Sequence, residues 1–65
     1  MSKIKFVRAY TGYGSNFFDI IYCSGRCVTK TEDAIPTTVK NFIENAWNVT
    51  KHYDNIFKRW ETIYE

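Results

Sequence analysis

The sequence predicts one small α+β domain, in which a two- or three-stranded antiparallel meander is followed by a long amphipathic helix packed on one sheet face. Three observations support this prediction. The chain has 65 residues, a length that suits one domain. Residues 3–31 alternate apolar and polar side chains between glycine turns, and residues 36–65 carry apolar side chains at helical spacing. We therefore treat residues 1–65 as a single domain with a β region and a helical region.

The β region divides into three predicted strands. Residues 3–11 form the first, and the glycines of Gly12–Asn16 suit a turn because glycine tolerates positive φ. Residues 17–23 form the second strand, and a tight loop follows at Ser24–Arg26. Residues 27–31 form a short third strand, so the first half reads as an antiparallel meander.

The helical region carries one apolar stripe. Taking Val39 as heptad position a, positions a, d and e hold Val39, Phe42, Ile43, Ala46, Val49, Thr50, Tyr53, Ile56, Phe57, Trp60, Ile63 and Tyr64. Positions c, f and g are all polar, and Pro36 suits a first helical turn. This pattern predicts an amphipathic helix whose stripe belongs to the core.

The length of that helix raises a difficulty. A continuous helix over residues 37–65 would be about 43 Å long, whereas strands of eight or nine residues span about 30 Å. The helix must therefore overhang the sheet or break. Helix propensity is mediocre near Asn48–Asp54, which is where a break is expected.

Charge and hydropathy narrow the classes of protein. The formal net charge is +2, but residues 1–31 hold five basic residues and one acidic one, while residues 32–65 hold four basic and six acidic residues. The first part can face an acidic partner, although this excess is too small to indicate nucleic acid by itself. No signal peptide and no apolar run of about 20 residues is seen, so we expect no membrane contact and a cytoplasmic location with reduced cysteines.

No motif of an enzyme or of a cofactor site occurs. Cys23 and Cys27 flank a three-residue loop, but a zinc site needs four ligands and His52 is the only histidine. The cysteines are expected to be small apolar residues near a turn, with half of a metal site or a redox pair as alternatives. His52 falls on the polar side of the predicted helix with no nucleophile placed beside it. We expect no catalysis, no cofactor and no bound metal.

Aromatic residues are abundant for so small a core. The chain holds five Phe, five Tyr and two Trp, and such side chains are preferred interface anchors. Trp47 lies beside the helical stripe, Trp60 lies at its overhanging end, and Tyr13 lies in the first turn. Three apolar side chains of the first two strands fall on the sheet face opposite the helix, where a solvated sheet should be polar. The predicted partner-binding residues are Trp47, Tyr13, Phe17, Ile21, Val7, Arg8 and Trp60.

The short length, the Asn, Lys, Ile and aromatic bias and the lack of a catalytic motif resemble small accessory proteins of bacteriophages. Many of those bind and inhibit a host enzyme or defence system. The resemblance covers composition only and transfers no residues. It implies a protein-binding module that inhibits or modulates a host protein.

A small nucleic-acid-binding protein is the alternative. Bases would stack on Tyr10, Tyr13 or Phe17, and phosphates would contact the basic residues of the first half, which are Lys3, Lys5, Arg8, Arg26 and Lys30. A homodimer, formed through the helical stripe or through the exposed sheet face, is the third expectation.

Overall fold

The chain folds into a five-stranded antiparallel sheet with one short helix, in a computed structural model that describes residues 3–65. A 3-10 turn, Glu32–Ala34, precedes helix α1, Thr37–Glu44. The order across the sheet is β3-β2-β1-β5-β4, so β3 and β4 are the edges. The strands are β1 (Ile4–Gly12), β2 (Ser15–Tyr22), β3 (Cys27–Thr31), β4 (Val49–Asp54) and β5 (Arg59–Tyr64).

The first three strands lie close to the positions that the side-chain alternation predicts. The β1–β2 turn passes through Tyr13 and Gly14, which both have positive φ, and Gly25 takes the same region in the loop before β3. Glycine adopts this conformation without steric cost, whereas it is uncommon for a tyrosine. The tight turn therefore holds Tyr13 at φ 51°.

The prediction of a long C-terminal helix is wrong, and with it the predicted fold class. Helix α1 ends at Glu44, and Asn45 follows it with its N–H bonded to the carbonyl of Asn41. The expected choice between a continuous helix and one broken near Asn48–Asp54 does not arise, because β4 and β5 pair as an antiparallel hairpin. The apolar stripe therefore ends with α1.

Local and long-range forces favour the hairpin. β4 is rich in β-branched and aromatic residues, which fit a pleated strand better than a helix. Asp54 accepts hydrogen bonds from the backbone N–H groups of Ile56 and Phe57, which closes a turn directly after β4. β5 also pairs with β1, from Val7 opposite Tyr64 to Tyr10 opposite Glu61. This last pairing joins distant parts of the chain, so no local pattern reveals it.

The hydrophobic core lies between α1 and one face of the sheet. Its fully buried members are Val7, Ile20 and Val39. One helix about 10 Å wide cannot cover five strands spaced about 4.8 Å apart, so part of this face is left in solvent. Partly buried side chains surround the core, namely Ile4, Phe18, Tyr22, Ile35, Phe42, Ile43 and Tyr64.

A β-bulge in β1 corrects the predicted position of Val7. The register shifts between Ile4 and Phe6, so the inserted residue brings Ile4 and Val7 to the same face beneath α1. Strict alternation had placed Val7 on the opposite face and hence in the partner surface. Val7 is 0% exposed, so it contributes to the core and cannot contact a partner.

Within residues 3–65, no helix has the length and apolar content needed to cross a membrane.

Candidate interaction surface

Large apolar side chains are exposed along one stretch of the chain, between the end of α1 and the start of β5. Trp47 is 82% exposed, Ile56 86% and Trp60 66%. Single exposed apolar residues are normal, but a group of them marks an interaction site. We define the hairpin surface as the six exposed residues of this stretch, which are Trp47, Val49, Tyr53, Ile56, Phe57 and Trp60.

Tyr53 and Trp60 form an aromatic pair on this surface. They lie directly opposite each other in β4 and β5, and their rings meet edge to face with centroids 5.6 Å apart. Aromatic pairs prefer this geometry. Trp60 shares a face of β5 with Tyr64, which packs against the core. The pair therefore lies on the same sheet face as α1, beyond the area that the helix covers.

The β4–β5 turn holds two more apolar side chains in solvent. The Oδ1 atom of Asp54 accepts hydrogen bonds from the N–H groups of Ile56 at 2.8 Å and Phe57 at 3.1 Å. These bonds, the one from Phe57 foremost, hold the pKa of Asp54 below its ordinary value because they favour the charged form. Lys58 completes the turn with a φ of 52°. The turn has a defined shape even though its apolar side chains lack a partner.

The opposite sheet face carries a polar network around Asp19. This buried carboxylate accepts hydrogen bonds from the Arg8 guanidinium at 2.8 and 3.2 Å, the Tyr10 hydroxyl at 3.0 Å and the Thr29 hydroxyl at 2.7 Å. Burial acts to raise the pKa of Asp19, but the hydrogen bonds from Thr29, Arg8 and Tyr10 together outweigh it, and the pKa lies below its ordinary value. Burial and the bond to Asp19 raise the pKa of Tyr10. Asp19 is therefore a satisfied structural carboxylate.

A second buried carboxylate, Glu61, lies on the same face. It accepts hydrogen bonds from the Arg59 guanidinium at 3.1 and 3.2 Å, and the Nε2 atom of His52 lies 3.1 Å from it. The Arg59 guanidinium also lies 3.7 Å above the centre of the Tyr10 ring and 4.6 Å from that of Phe57. These contacts close the face with ion pairs and stacked rings instead of a covering element.

The structure separates the residues that the sequence proposed for partner binding. Trp47 and Trp60 belong to the hairpin surface. Tyr13 is fully exposed, and the strand register places its turn at the same end of the sheet as the β4–β5 turn. These three side chains are available to a partner.

The remaining proposed residues are engaged within the fold. Phe17 is half-buried and stacks on Tyr10 with ring centroids 5.8 Å apart. Ile21 is half-buried on the same face, and Arg8 is bound to Asp19. Val7, as described, lies in the core.

Four residues of the hairpin surface escaped the sequence reasoning as partner contacts. Val49, Tyr53, Ile56 and Phe57 all fall on the heptad stripe, which assigned them to a helical core. A period of two was also present, because Val49 and Tyr53 flank Lys51 in β4, and Asp54-Asn55 is a common start for a turn. Reading that alternation would have placed a hairpin here.

No group of three or more His, Cys, Asp or Glu side chains within residues 3–65 is arranged to hold a metal ion. Cys23 and Cys27 are exposed free thiols. Comparison with known proteins finds no matching family model, no similar curated protein and no similar solved structure. Function must therefore be argued from the surface of this chain.

Proposed function

We propose that this protein is a non-enzymatic binding module that attaches to another protein through the hairpin surface. The observation that carries the proposal is the exposure of six large apolar side chains between Trp47 and Trp60. Removing such side chains from water contributes roughly 25 cal/mol per Å² of apolar area. Trp and Tyr are also the residue types that most often dominate the binding energy of an interface.

The rigidity of the hairpin supports this role. Tyr53 and Trp60 are already packed against each other, and Asp54 already fixes the turn that presents Ile56 and Phe57. A surface ordered before binding loses less conformational entropy when a partner docks. The hairpin therefore suits a stable interface better than a flexible loop of the same composition.

Charges around the hairpin indicate what kind of protein surface would fit. Lys51 and Lys58 are exposed beside the apolar residues, in β4 and in the turn. Interfaces commonly combine an apolar centre with a polar rim, and opposite charges across the rim speed association. We propose a partner with an apolar groove and acidic residues at its border. Inhibition of a host protein and a cytoplasmic location, both expected from composition, stay predictions.

The nucleic-acid alternative has less support from the geometry. The Arg8 guanidinium is bound to Asp19, and one face of the Tyr10 ring lies under Arg59. A cation and a ring that were expected to hold phosphate and base are thus engaged inside the protein. The net charge of +2 adds little long-range attraction for a polyanion.

The test compares partner capture by three forms of the full chain: wild type, Trp60→Ala and Arg26→Ala. Arg26 is exposed in the loop between β2 and β3, away from the hairpin, and serves as the matched surface control. We expect wild type and Arg26→Ala to retain one protein from a cell extract, and Trp60→Ala to bind it about 30-fold more weakly, or about 2 kcal/mol. Binding is then titrated with the purified partner.

Thermal melts of the three forms exclude a general loss of folding. Equal affinity of Trp60→Ala and wild type for the captured protein would contradict the proposed surface.

A further inference from the structure

The outer edge of β4 is unpaired within residues 3–65. An edge strand exposes a row of backbone N–H and C=O groups that can pair with another strand. Proline and bulges are the usual means of blocking such an edge, but β4 contains no proline, and its register with β5 is continuous from Val49 to Asp54. The edge is therefore regular enough to accept a further strand.

The β4–β5 hydrogen bonds show which groups of β4 point outward. Asn48 and Glu65 exchange both backbone hydrogen bonds, at 2.9 and 3.3 Å. Hydrogen-bonded and non-bonded pairs alternate along an antiparallel ladder, so every second residue from Thr50 onward bonds to β5. The residues between them direct their backbone groups away from β5, and these are Val49, Lys51 and Tyr53.

We propose that β4 pairs antiparallel with β4 of a second copy of this chain, about a two-fold axis at His52, joining two sheets into one. The inference rests on the proposed function, because it uses the hairpin surface and names a second copy as its partner. Each chain presents the same edge to the other, so the contact closes as a dimer and does not propagate.

The pattern of outward groups supports this register. With the two His52 residues opposite each other, Lys51 of one chain lies opposite Tyr53 of the other. Both residues have outward backbone groups, so each such pair exchanges two hydrogen bonds, one pair on either side of the axis. Side chains that lie opposite each other also share a face, as a continuous sheet requires.

Charge selects this register over its neighbour. An axis at Lys51 would oppose two ammonium groups directly, which destabilises a strand pair. An axis at His52 places each ammonium beside the ring of Tyr53, where a cation is attracted to the aromatic face. Each His52 imidazole lies 3.1 Å from its own Glu61 carboxylate, which balances charge at the axis.

The first arm of the test measures self-association by sedimentation equilibrium. Lys51→Pro removes an outward N–H of β4 and leaves the bonds to β5 in place, a position where edge strands tolerate proline. Cys27→Pro does the same on the other edge, because Tyr22 bonds to Arg26 and Cys27 is the next residue of β3. We expect wild type and Cys27→Pro to dimerise, and Lys51→Pro to do so at least tenfold more weakly.

The second arm tests the register by disulfide formation, in a Cys23→Ser, Cys27→Ser background. His52→Cys places two thiols opposite each other in a non-hydrogen-bonded pair, the closest type of cross-strand pair. We expect rapid covalent dimers on oxidation, and much slower formation from Lys51→Cys as the control. This arm needs no proline and keeps the test decisive if a proline variant unfolds.

A monomeric wild type, or equal disulfide yields from both cysteine positions, would overturn the inference. If wild type is monomeric and Trp60→Ala still loses a captured protein, the strand pairing is wrong and the proposed function stands. If wild type dimerises as described and Trp60→Ala captures that protein as well as wild type does, the pairing stands and the proposed function is wrong.

Discussion

The two hairpins of the sheet place apolar side chains on the same face with opposite results. In the β1–β2 hairpin, Val7 and Ile20 lie beneath α1 and are almost completely buried. In the β4–β5 hairpin, Tyr53 and Trp60 lie on that face and are exposed. The difference is coverage, because α1 has only eight residues and packs on β1. Similar alternation thus forms a core where a helix covers it and a binding surface where none does.

On the opposite face the two hairpins resemble each other. Each buries one carboxylate against an arginine, Asp19 with Arg8 and Glu61 with Arg59. Partnered charges can be buried at little net cost, whereas unpartnered ones cannot. The uncovered face is therefore closed by ion pairs, and the apolar surface available to a partner is concentrated on the β4–β5 hairpin.

The largest expected effect separates the two hairpins by stability. Ile20→Ala should cost about 2–5 kcal/mol, because it removes buried methyl groups and leaves a cavity. That is a large share of the roughly 3–10 kcal/mol expected for a chain of this size. Trp60→Ala should cost less than about 0.5 kcal/mol, as surface substitutions usually do. Urea unfolding of both variants measures the contrast, and equal losses would mean that the β4–β5 hairpin belongs to the core.

A smaller effect concerns the polar network. Asp19→Asn should cost about 2–3 kcal/mol at pH 7, because it weakens several charge-assisted hydrogen bonds. The pKa of Asp19 is lower in the folded than in the unfolded state, so its contribution is present above the unfolded value near about 4 and is lost as pH falls toward the folded value.

Unfolding free energies measured from pH 7 down to the acid limit test this sign. Wild type should lose stability below about pH 4, and Asp19→Asn should show a flatter acid limb. Asp33→Asn, at an exposed position, is the control. A variant that lost stability with acid as steeply as wild type would show that Asp19 does not carry the effect.

The first half of the fold could be predicted because its signals are local. Alternation along β1 and β2, with Tyr13-Gly14 and Gly25 in the turns, marks strands without reference to the rest of the chain. The face assignment of Val7 failed because a single bulge reverses the alternation, and no residue type near Lys5 marks it.

The second half could not be predicted from the helical period. The heptad stripe treated Tyr53, Ile56, Phe57 and Trp60 as core, although all four are exposed. Apolar residues spaced three or four apart fit a helix, but the same residues fit two strands joined by a turn. What decides between them is the pairing of β5 with β1, which depends on long-range contacts. For the candidate site, the prominence of Trp47 and Trp60 could be read from the sequence, whereas the hairpin that presents them could not.

The most direct test of the account is the accessibility of the two tryptophans, measured as acrylamide quenching of their fluorescence in dilute native protein. Trp47 and Trp60 are the only tryptophans of the chain, and both are largely exposed. The account predicts that quenching in the folded protein will nearly equal quenching in concentrated guanidinium chloride, while circular dichroism shows that the sheet is intact. Strong protection in the folded state would contradict it, because one or both rings would then belong to the core.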